Sequence, residues 1–340
     1  MKRRETLNFK VGHVGIGSQY PVTLQSMTNT DTKDTEKTLK QIRMLATEGI
    51  EIIRVALPEK EAVESFKKIC LESPLPVVAD IHFDYRLALE AIEAGASALR
   101  INPGNIGSRD KVEQVIKKAS AYQIPIRIGV NSGSIRKDIL AKYQRPTAEA
   151  LVESLVEQVE IFEQLDFRDI VLSLKASNVP MMIAANRLVS EKLPYPIHLG
   201  VTEAGSPKSG VIKSAVGIGT LLAEGIGDTI RVSLTGDPLN EVEVGKQILK
   251  SLHLREDGVE IISCPTCGRT KIDLVALVEA VEDLAKNITK PIKIAVMGCV
   301  VNGPGEAREA DIGIAGTFGE GLIFRKGEVI RRVKEEELLE

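Results

Sequence analysis

The chain contains no tryptophan, and aromatic residues make up only 4% of its 340 positions. That scarcity argues against recognition of nucleic acid by base stacking, which needs exposed rings. An excess of either charge is also missing. Lys and Arg number 44 against 47 Asp and Glu, a net charge of −3, which gives no general attraction for polyanions or membrane surfaces. No apolar run approaches the roughly 18 residues that span a bilayer, and Met1-Lys2-Arg3-Arg4-Glu5 is not followed by the apolar core of a secretory leader. The expectation is a cytoplasmic protein with neither nucleic-acid nor membrane partners. Cysteine is scarce at four residues. In a reducing compartment disulfides are rare, so thiols that cluster point to metal or redox chemistry.

What is present is an ordinary globular composition, 43% hydrophobic and 27% charged. This length suits one large barrel plus a smaller second domain. After an opening that suits a hairpin, Leu7 to Gly15, eight short apolar runs follow: Val22–Met27, Ile50–Ala56, Val77–Ile81, Ala98–Asn102, Ile126–Val130, Ile170–Leu174, Ile197–Val201 and Thr229–Leu234. Stretches of helical period lie between them, such as Asp34–Thr47 with Leu39, Ile42 and Leu45. Gly49, Gly95 and Gly225 stand where helices should end. Strand, helix and turn repeated eight times predict an α/β fold, a (β/α)8 TIM barrel. A doubly wound sheet is the rival, but no Gly-x-Gly-x-x-Gly opens the first unit.

Residues 1–252 are assigned to this substrate-binding barrel, and residues 253–340 to a small α+β domain. In the latter, Val259–Ile262 and Ile292–Met297 read as strands around a helix over Lys271–Asn287, with a small sheet from Ile312–Ala315, Leu322–Phe324 and Val329–Val333. The helix is given a core-facing stripe of Ile272, Val275, Val278, Val281 and Leu284.

Cations recur in the apolar runs: Arg54, Arg100, Arg127 and Arg231, with Lys175 closing the sixth. One such residue reads as snorkelling or ion-paired. Five together, in a fold whose sites lie at the C-terminal ends of its strands, point to one multiply charged anion, a diphosphate. Polar partners recur at the same level: Asp80, His82, Asn102, Asn131, Ser173, Ser177, His198 and Ser233. Glu203, in Val201-Thr202-Glu203-Ala204-Gly205, is the candidate proton donor, since partial shielding at a barrel mouth raises a carboxyl pKa. The loops Asn102-Pro103-Gly104-Asn105 and Thr235-Gly236-Asp237-Pro238 offer backbone N–H groups to phosphate.

Three cysteines fall in two motifs, Cys264-Pro265-Thr266-Cys267-Gly268-Arg269 and Gly298-Cys299-Val300-Val301-Asn302-Gly303-Pro304-Gly305-Glu306. Cys-x-x-Cys turns two thiolates toward one point, compatible with zinc, an iron–sulfur centre or dithiol chemistry. Three thiolates with a carboxylate or an open position suit a 4Fe–4S cluster. The alternative is a zinc-stabilised phosphate-binding module with no redox role. Cys70, in an apolar helical setting, reads as a buried thiol. A pterin-dependent methyltransferase-like barrel would explain the first domain but not the cysteines.

These two motifs, with Ala79-Asp80-Ile81-His82-Phe83, Arg100-Ile101-Asn102-Pro103-Gly104 and Gly129-Val130-Asn131-Ser132-Gly133-Ser134, resemble the 4-hydroxy-3-methylbut-2-enyl diphosphate synthase family of the non-mevalonate isoprenoid pathway. The resemblance covers essentially the whole chain in its shorter bacterial two-domain form. It implies a reductive ring opening of methylerythritol cyclodiphosphate, with electrons from ferredoxin or flavodoxin. It further implies one 4Fe–4S cluster per chain on Cys264, Cys267, Cys299 and Glu306, with Glu306 yielding its iron to substrate and Glu203 acting as acid. Connectivity adds one expectation. The last barrel helix ends at the bottom of the barrel, and the six residues His253–Gly258 reach at most about 20 Å. A head-to-tail homodimer follows, in which one chain's cluster domain serves its partner's barrel.

Overall fold

The computed structural model describes residues 2–256, 258–270, 272–286, 288–299, 307–317, 319–334 and 337–338. It divides into two compact units, residues 1–254 and 255–340.

The first unit opens with a hairpin, β1 (Phe9–Val11) and β2 (Val14–Ile16). Then strand and helix alternate: β3 (Thr23–Met27), α1 (Thr35–Thr47), β4 (Ile52–Ala56), α2 (Val63–Glu72), β5 (Val77–Asp80), α3 (Tyr85–Glu93), β6 (Ala98–Ile101), the one-turn α4 (Pro103–Ile106) and α5 (Arg109–Ala121). The series continues with β7 (Ile126–Asn131), α6 (Lys137–Tyr143), α7 (Ala148–Gln164), β8 (Ile170–Lys175), α8 (Val179–Lys192), β9 (His198–Leu199), α9 (Pro207–Ala223), β10 (Thr229–Ile230) and α10 (Pro238–Ser251). The parallel sheet runs β8-β7-β6-β5-β4-β3-β10-β9. A bridge between Leu172 and Ile197 joins its two ends, so the eight strands close as the TIM barrel that the repeat predicts.

Local chemistry starts and stops these helices. Asp34, Thr147, Asn178 and Asp237 each accept a backbone N–H at a helix start, satisfying donors the helix leaves open. Gly49, Gly95 and Gly225, at φ 87°, 93° and 79°, turn the chain back toward the sheet in a conformation that a Cβ disfavours. Outward strand residues such as Ile53, Val55 and Leu99 lock under helical residues such as Ile42, Phe66 and Val115, all buried. Each such side chain contributes roughly 1.5–3 kcal/mol by leaving water. Hairpin β1–β2 covers one end of the barrel, where Val11 and Ile16 meet Ile52, Val78, Ala98 and Val171.

In the second unit, β11 (Val259–Ser263), α11 (Leu274–Ala285), β12 (Ile292–Met297), β13 (Ile312–Gly316), β14 (Glu320–Arg325) and β15 (Glu328–Lys334) form a five-stranded sheet in chain order with one helix. The first three strands are parallel and the last two return as antiparallel hairpins. The stripe expected on α11 is corrected. Leu274, Leu277, Val281 and Ala285 face the core, while Val275 and Leu284 are 56% and 63% exposed. At about 100° per residue, five positions spaced by three sweep most of the way round a helix, whereas spacing of three, four and four holds one face.

Candidate active site

Alternate strand residues point into the barrel. On β4 these are Ile52 and Arg54, on β5 Val78 and Asp80, on β6 Ala98 and Arg100, on β8 Val171, Ser173 and Lys175. The lower member of each series joins the apolar cluster under hairpin β1–β2. Above it the lining is polar, where barrels of this kind are normally filled by Val, Ile and Leu. Arg54, Arg127 and Lys175 are each no more than 9% exposed, and the Arg100 and Arg231 side chains are 12% and 15% exposed.

Asp80 is the anionic hub. Its carboxylate lies 3.2 Å from Arg100 Nη1, 3.7 Å from Arg54 Nε and 3.5 Å from His82 Nε2. Burial alone would raise its pKa, but Arg54, His82 and Arg100 outweigh that and hold it well below the usual carboxylate range. Burial pushes Arg54 down to about 10 against the opposing pull of Asp80. Arg54 also donates to Met27 Sδ at 2.9 and 3.1 Å. At the other side Arg231 makes a forked pair with Glu241 of α10, at 3.2–3.3 Å, and the same carboxylate accepts Leu234 N–H at 3.0 Å.

Two cations have no such carboxylate among the described ion pairs. Arg127 donates to Gln25 Oε1 at 2.6 Å, and Lys175 crosses the face of Gly200, where an added Cβ would lie 2.6 Å from its Nζ. Burial first, then the neighbouring cations, pushes both groups well below their ordinary pKa values. Arg127 departs from the expectation of cations near strand ends, because it is the second residue of β7. In register beside Arg100, which is itself beside Asp80, it belongs to a row that runs obliquely down the tilted sheet. It shares a cavity with Val11 and Ile16 of the hairpin.

The remaining expected residues lie in or beside the loops that follow the strands. Asn102 is buried, donates to Ser134 Oγ at 3.1 Å and accepts Gly104 N–H at 3.1 Å. Ser134 Oγ in turn accepts Asn131 N–H at 3.0 Å, so these three are one connected unit. Ser233 is half-buried; Ser177, His82 and Glu203 are exposed. Glu203 is therefore less shielded in this chain than the sequence suggests. It sits at φ 51°, an uncommon left-handed conformation for a residue with a side chain. His198 is fully buried, with Nδ1 3.3 Å from Thr229 Oγ1, and burial next to Arg127 and Lys175 pushes its pKa down, keeping it neutral.

In the second unit Cys264 and Cys299 follow the C-terminal ends of the adjacent parallel strands β11 and β12. Cys264 is half-buried, and its Sγ accepts Gly298 N–H at 3.2 Å. Cys267 is exposed, and the backbone N–H of Arg269 leads the contacts that lower its thiol pKa. Soft thiolates with N–H donors aimed at sulfur form a donor set that fits an iron–sulfur centre. Among the described residues no three His, Cys, Asp or Glu side chains gather around one metal-sized point. Glu306, the fourth expected ligand, lies outside the described residues.

Gln25, Met27, Glu241, Gly129 and Gly200 were not singled out by sequence reasoning. Glu241 reads as an ordinary acidic residue of a helix's first turn. The two glycines carried a usable signal, since glycine inside a strand marks a close approach. A Cβ at Gly129 would lie 3.1 Å from Arg100 Nε, and one at Gly200 meets Lys175.

A family model described as GcpE TIM-barrel domain matches residues 6–246, and one described as GcpE protein C-terminal domain matches residues 260–340. A curated protein of Clostridium perfringens, named 4-hydroxy-3-methylbut-2-en-1-yl diphosphate synthase (flavodoxin), is 62% identical over 340 residues, covering 100% of this chain and 97% of the relative. One of the same name from Caldanaerobacter subterraneus is 59% identical over 338 residues, covering 99% of this chain and 95% of its own. Among solved structures, dihydropteroate synthase from Xanthomonas albilineans superposes with a TM-score of 0.52 at 12% identity, over 73% of this chain and 98% of its own. That likeness concerns the barrel fold alone.

Proposed function

The chain belongs to the GcpE family of 4-hydroxy-3-methylbut-2-enyl diphosphate synthases, and from that membership we propose a division of labour between the residues of its two units. The reaction is the two-electron reductive opening of 2-C-methyl-D-erythritol 2,4-cyclodiphosphate. One ring carbon–oxygen bond breaks, a hydroxyl leaves as water, and linear 4-hydroxy-3-methylbut-2-enyl diphosphate is formed.

The observation that carries the reading is a charge imbalance. Among the described residues, Arg54, Arg100, Arg127, Lys175 and Arg231 line one barrel interior against two carboxylates, Asp80 and Glu241. Buried charge without a counter-charge is costly, and a diphosphate supplies what is missing. Lys175 and Arg127, which have no carboxylate partner among the described ion pairs, bind it most directly. Arg54 and Arg100, partly neutralised by Asp80, and Arg231, held by Glu241, orient it by forked N–H donation. Asn102, Asn131, Ser134, Ser177, Ser233 and His82 complete the contacts. Glu203 donates the proton with which the hydroxyl leaves as water. Cys264, Cys267, Cys299 and Glu306 hold a 4Fe–4S cluster, which when bound supplies the two electrons delivered by flavodoxin or ferredoxin.

Anaerobically prepared protein with reduced flavodoxin should convert the cyclodiphosphate and carry about four irons per chain. Colourless protein with one zinc and no turnover would return the reading to a phosphate-binding module. The head-to-tail homodimer belongs to the same proposal. α10 runs antiparallel to the strands and so ends away from their C-terminal side, and the connection to β11 is short. Mixing Glu203→Ala with Cys264→Ser chains should restore part of the activity, and no recovery despite proven mixing refutes the dimer.

A further inference from the structure

Arg231 and Glu203 stand on neighbouring loops, the first just after β10 and the second between β9 and α9. Glu241, 5% exposed, lies in the first turn of α10, where a helix N-terminus favours negative charge. Its Oε2 accepts Arg231 Nε at 3.3 Å, and its Oε1 accepts Leu234 N–H at 3.0 Å. One buried carboxylate therefore fixes both a cation of the diphosphate site and the backbone of the loop after β10.

That loop in turn holds the one before it. Thr235 N–H donates to Gly205 O at 3.0 Å. The Leu234 side chain lies over Gly210 in the first turn of α9, where an added Cβ would stand 2.6 Å from Leu234 Cδ2 and 3.1 Å from Gly205 O. On the far side of Glu203, Thr202 N–H donates to Ala176 O at 3.4 Å. Between the anchors at Thr202 and Gly205 lie only Glu203, at its left-handed φ of 51°, and buried Ala204. A carboxyl group on so short a span moves with its anchors.

We propose that Glu241 is a positioning residue for the acid: by holding Leu234 it sets, through Thr235 and Gly205, where Glu203 meets the substrate. The assignment rests on the reading of Glu203 as proton donor. A reacting group misplaced by about 1 Å can lose on the order of 10²-fold in rate. Loss of the link should therefore appear in kcat, and loss of the Arg231 pair in KM.

Glu241→Met keeps the side chain's length without a strong acceptor, whereas Glu241→Gln keeps an oxygen for Leu234 N–H. Hydrogen exchange on the full chain tests the link without turnover. The segment 201–206, two links away from Glu241, should exchange at least about tenfold faster in Glu241→Met and near the wild-type rate in Glu241→Gln. In turnover by the cluster-loaded enzyme with reduced flavodoxin, kcat should fall at least about tenfold in Glu241→Met and less than about threefold in Glu241→Gln. Added to Glu203→Gln, Glu241→Met should lower kcat no further. Unchanged exchange over 201–206, equal kcat for Glu241→Met and Glu241→Gln, or effects that add in the double variant overturn the proposal. Wild-type kcat in Glu203→Gln alone overturns the acid reading instead, and the exchange rates still decide the link. If Glu241→Met does not fold, Gly210→Ala replaces it, because its methyl presses on Leu234 and Gly205 and leaves Arg231 its carboxylate. A fall in kcat with unchanged Kd for the cyclodiphosphate is then expected, and wild-type kcat overturns the proposal.

Discussion

Gly200→Ala tests whether the path of Lys175 depends on a missing side chain. A methyl at this position would lie 2.6 Å from Lys175 Nζ, 3.2 Å from its Cε and 2.7 Å from the carbonyl oxygen of Arg231. Lys175 is flexible and will swing away. The carbonyl is less free, because Arg231 N–H is tied to Leu199 O at 3.0 Å in the barrel wall. Gly200 does not need a left-handed backbone, so the effect is steric. Overpacking should cost about 1–3 kcal/mol of stability, read from urea unfolding. Losing one charge-assisted bond to a phosphate should cost about 1.5–3 kcal/mol of binding, a rise of roughly 10- to 150-fold in Kd for the cyclodiphosphate. Gly129→Ala is the control, since its methyl would stand 3.1 and 3.2 Å from Arg100 Nε and Nη2 and asks for smaller adjustments. Unchanged Kd and unfolding midpoint for Gly200→Ala, or a larger effect for Gly129→Ala, would refute the reasoning.

Glu241→Ala removes the acceptor for both the Arg231 guanidinium and Leu234 N–H, leaving a buried cation alone. About 3–5 kcal/mol of stability should be lost, and a loss below about 1 kcal/mol in urea unfolding would show that the pair is not needed. Asp80 predicts a pH effect of definite sign. Its carboxyl titrates near 4 when unfolded and well below that in the fold, so the stability it contributes is complete above about pH 5 and erodes as pH falls below about 4 toward the folded value. Asp80→Asn should flatten this acid limb, and parallel acid limbs for variant and wild type would count against the hub.

Much of the barrel was legible because most strands are compact, nearly continuous apolar runs, separated by stretches of helical period that end in glycine or a polar turn. The last two strands were read too long. Ile197–Val201 and Thr229–Leu234 form ladders only at His198–Leu199 and Thr229–Ile230. Beyond these the chain is shaped by side chains, Lys175 lying over Gly200 and Glu241 taking Leu234 N–H, and periodicity does not register such bonds. The cations of the site were visible as charges at apolar positions. Their partners were not, because Gln25 and Met27 are remote in sequence from the arginines they hold, and Glu241, ten residues after Arg231, looks like any acidic residue in the first turn of a helix. Arg127 shows the same limit, since its depth comes from strand tilt and register, which exist only once the sheet has closed. On α11 spacing by three was mistaken for a face, although a helix keeps one face only by mixing steps of three and four.

The central claim is that surplus buried positive charge in the barrel is there to receive a diphosphate. Lys175 tests it most directly, because it has no carboxylate partner among the described ion pairs and its removal strands no buried anion. Calorimetric titration of the cyclodiphosphate into anaerobic wild-type protein and Lys175→Met is the measurement. One equivalent should bind to the wild type, with affinity at least about tenfold weaker in the variant. Equal affinity in both, or no binding to the wild type, would contradict it.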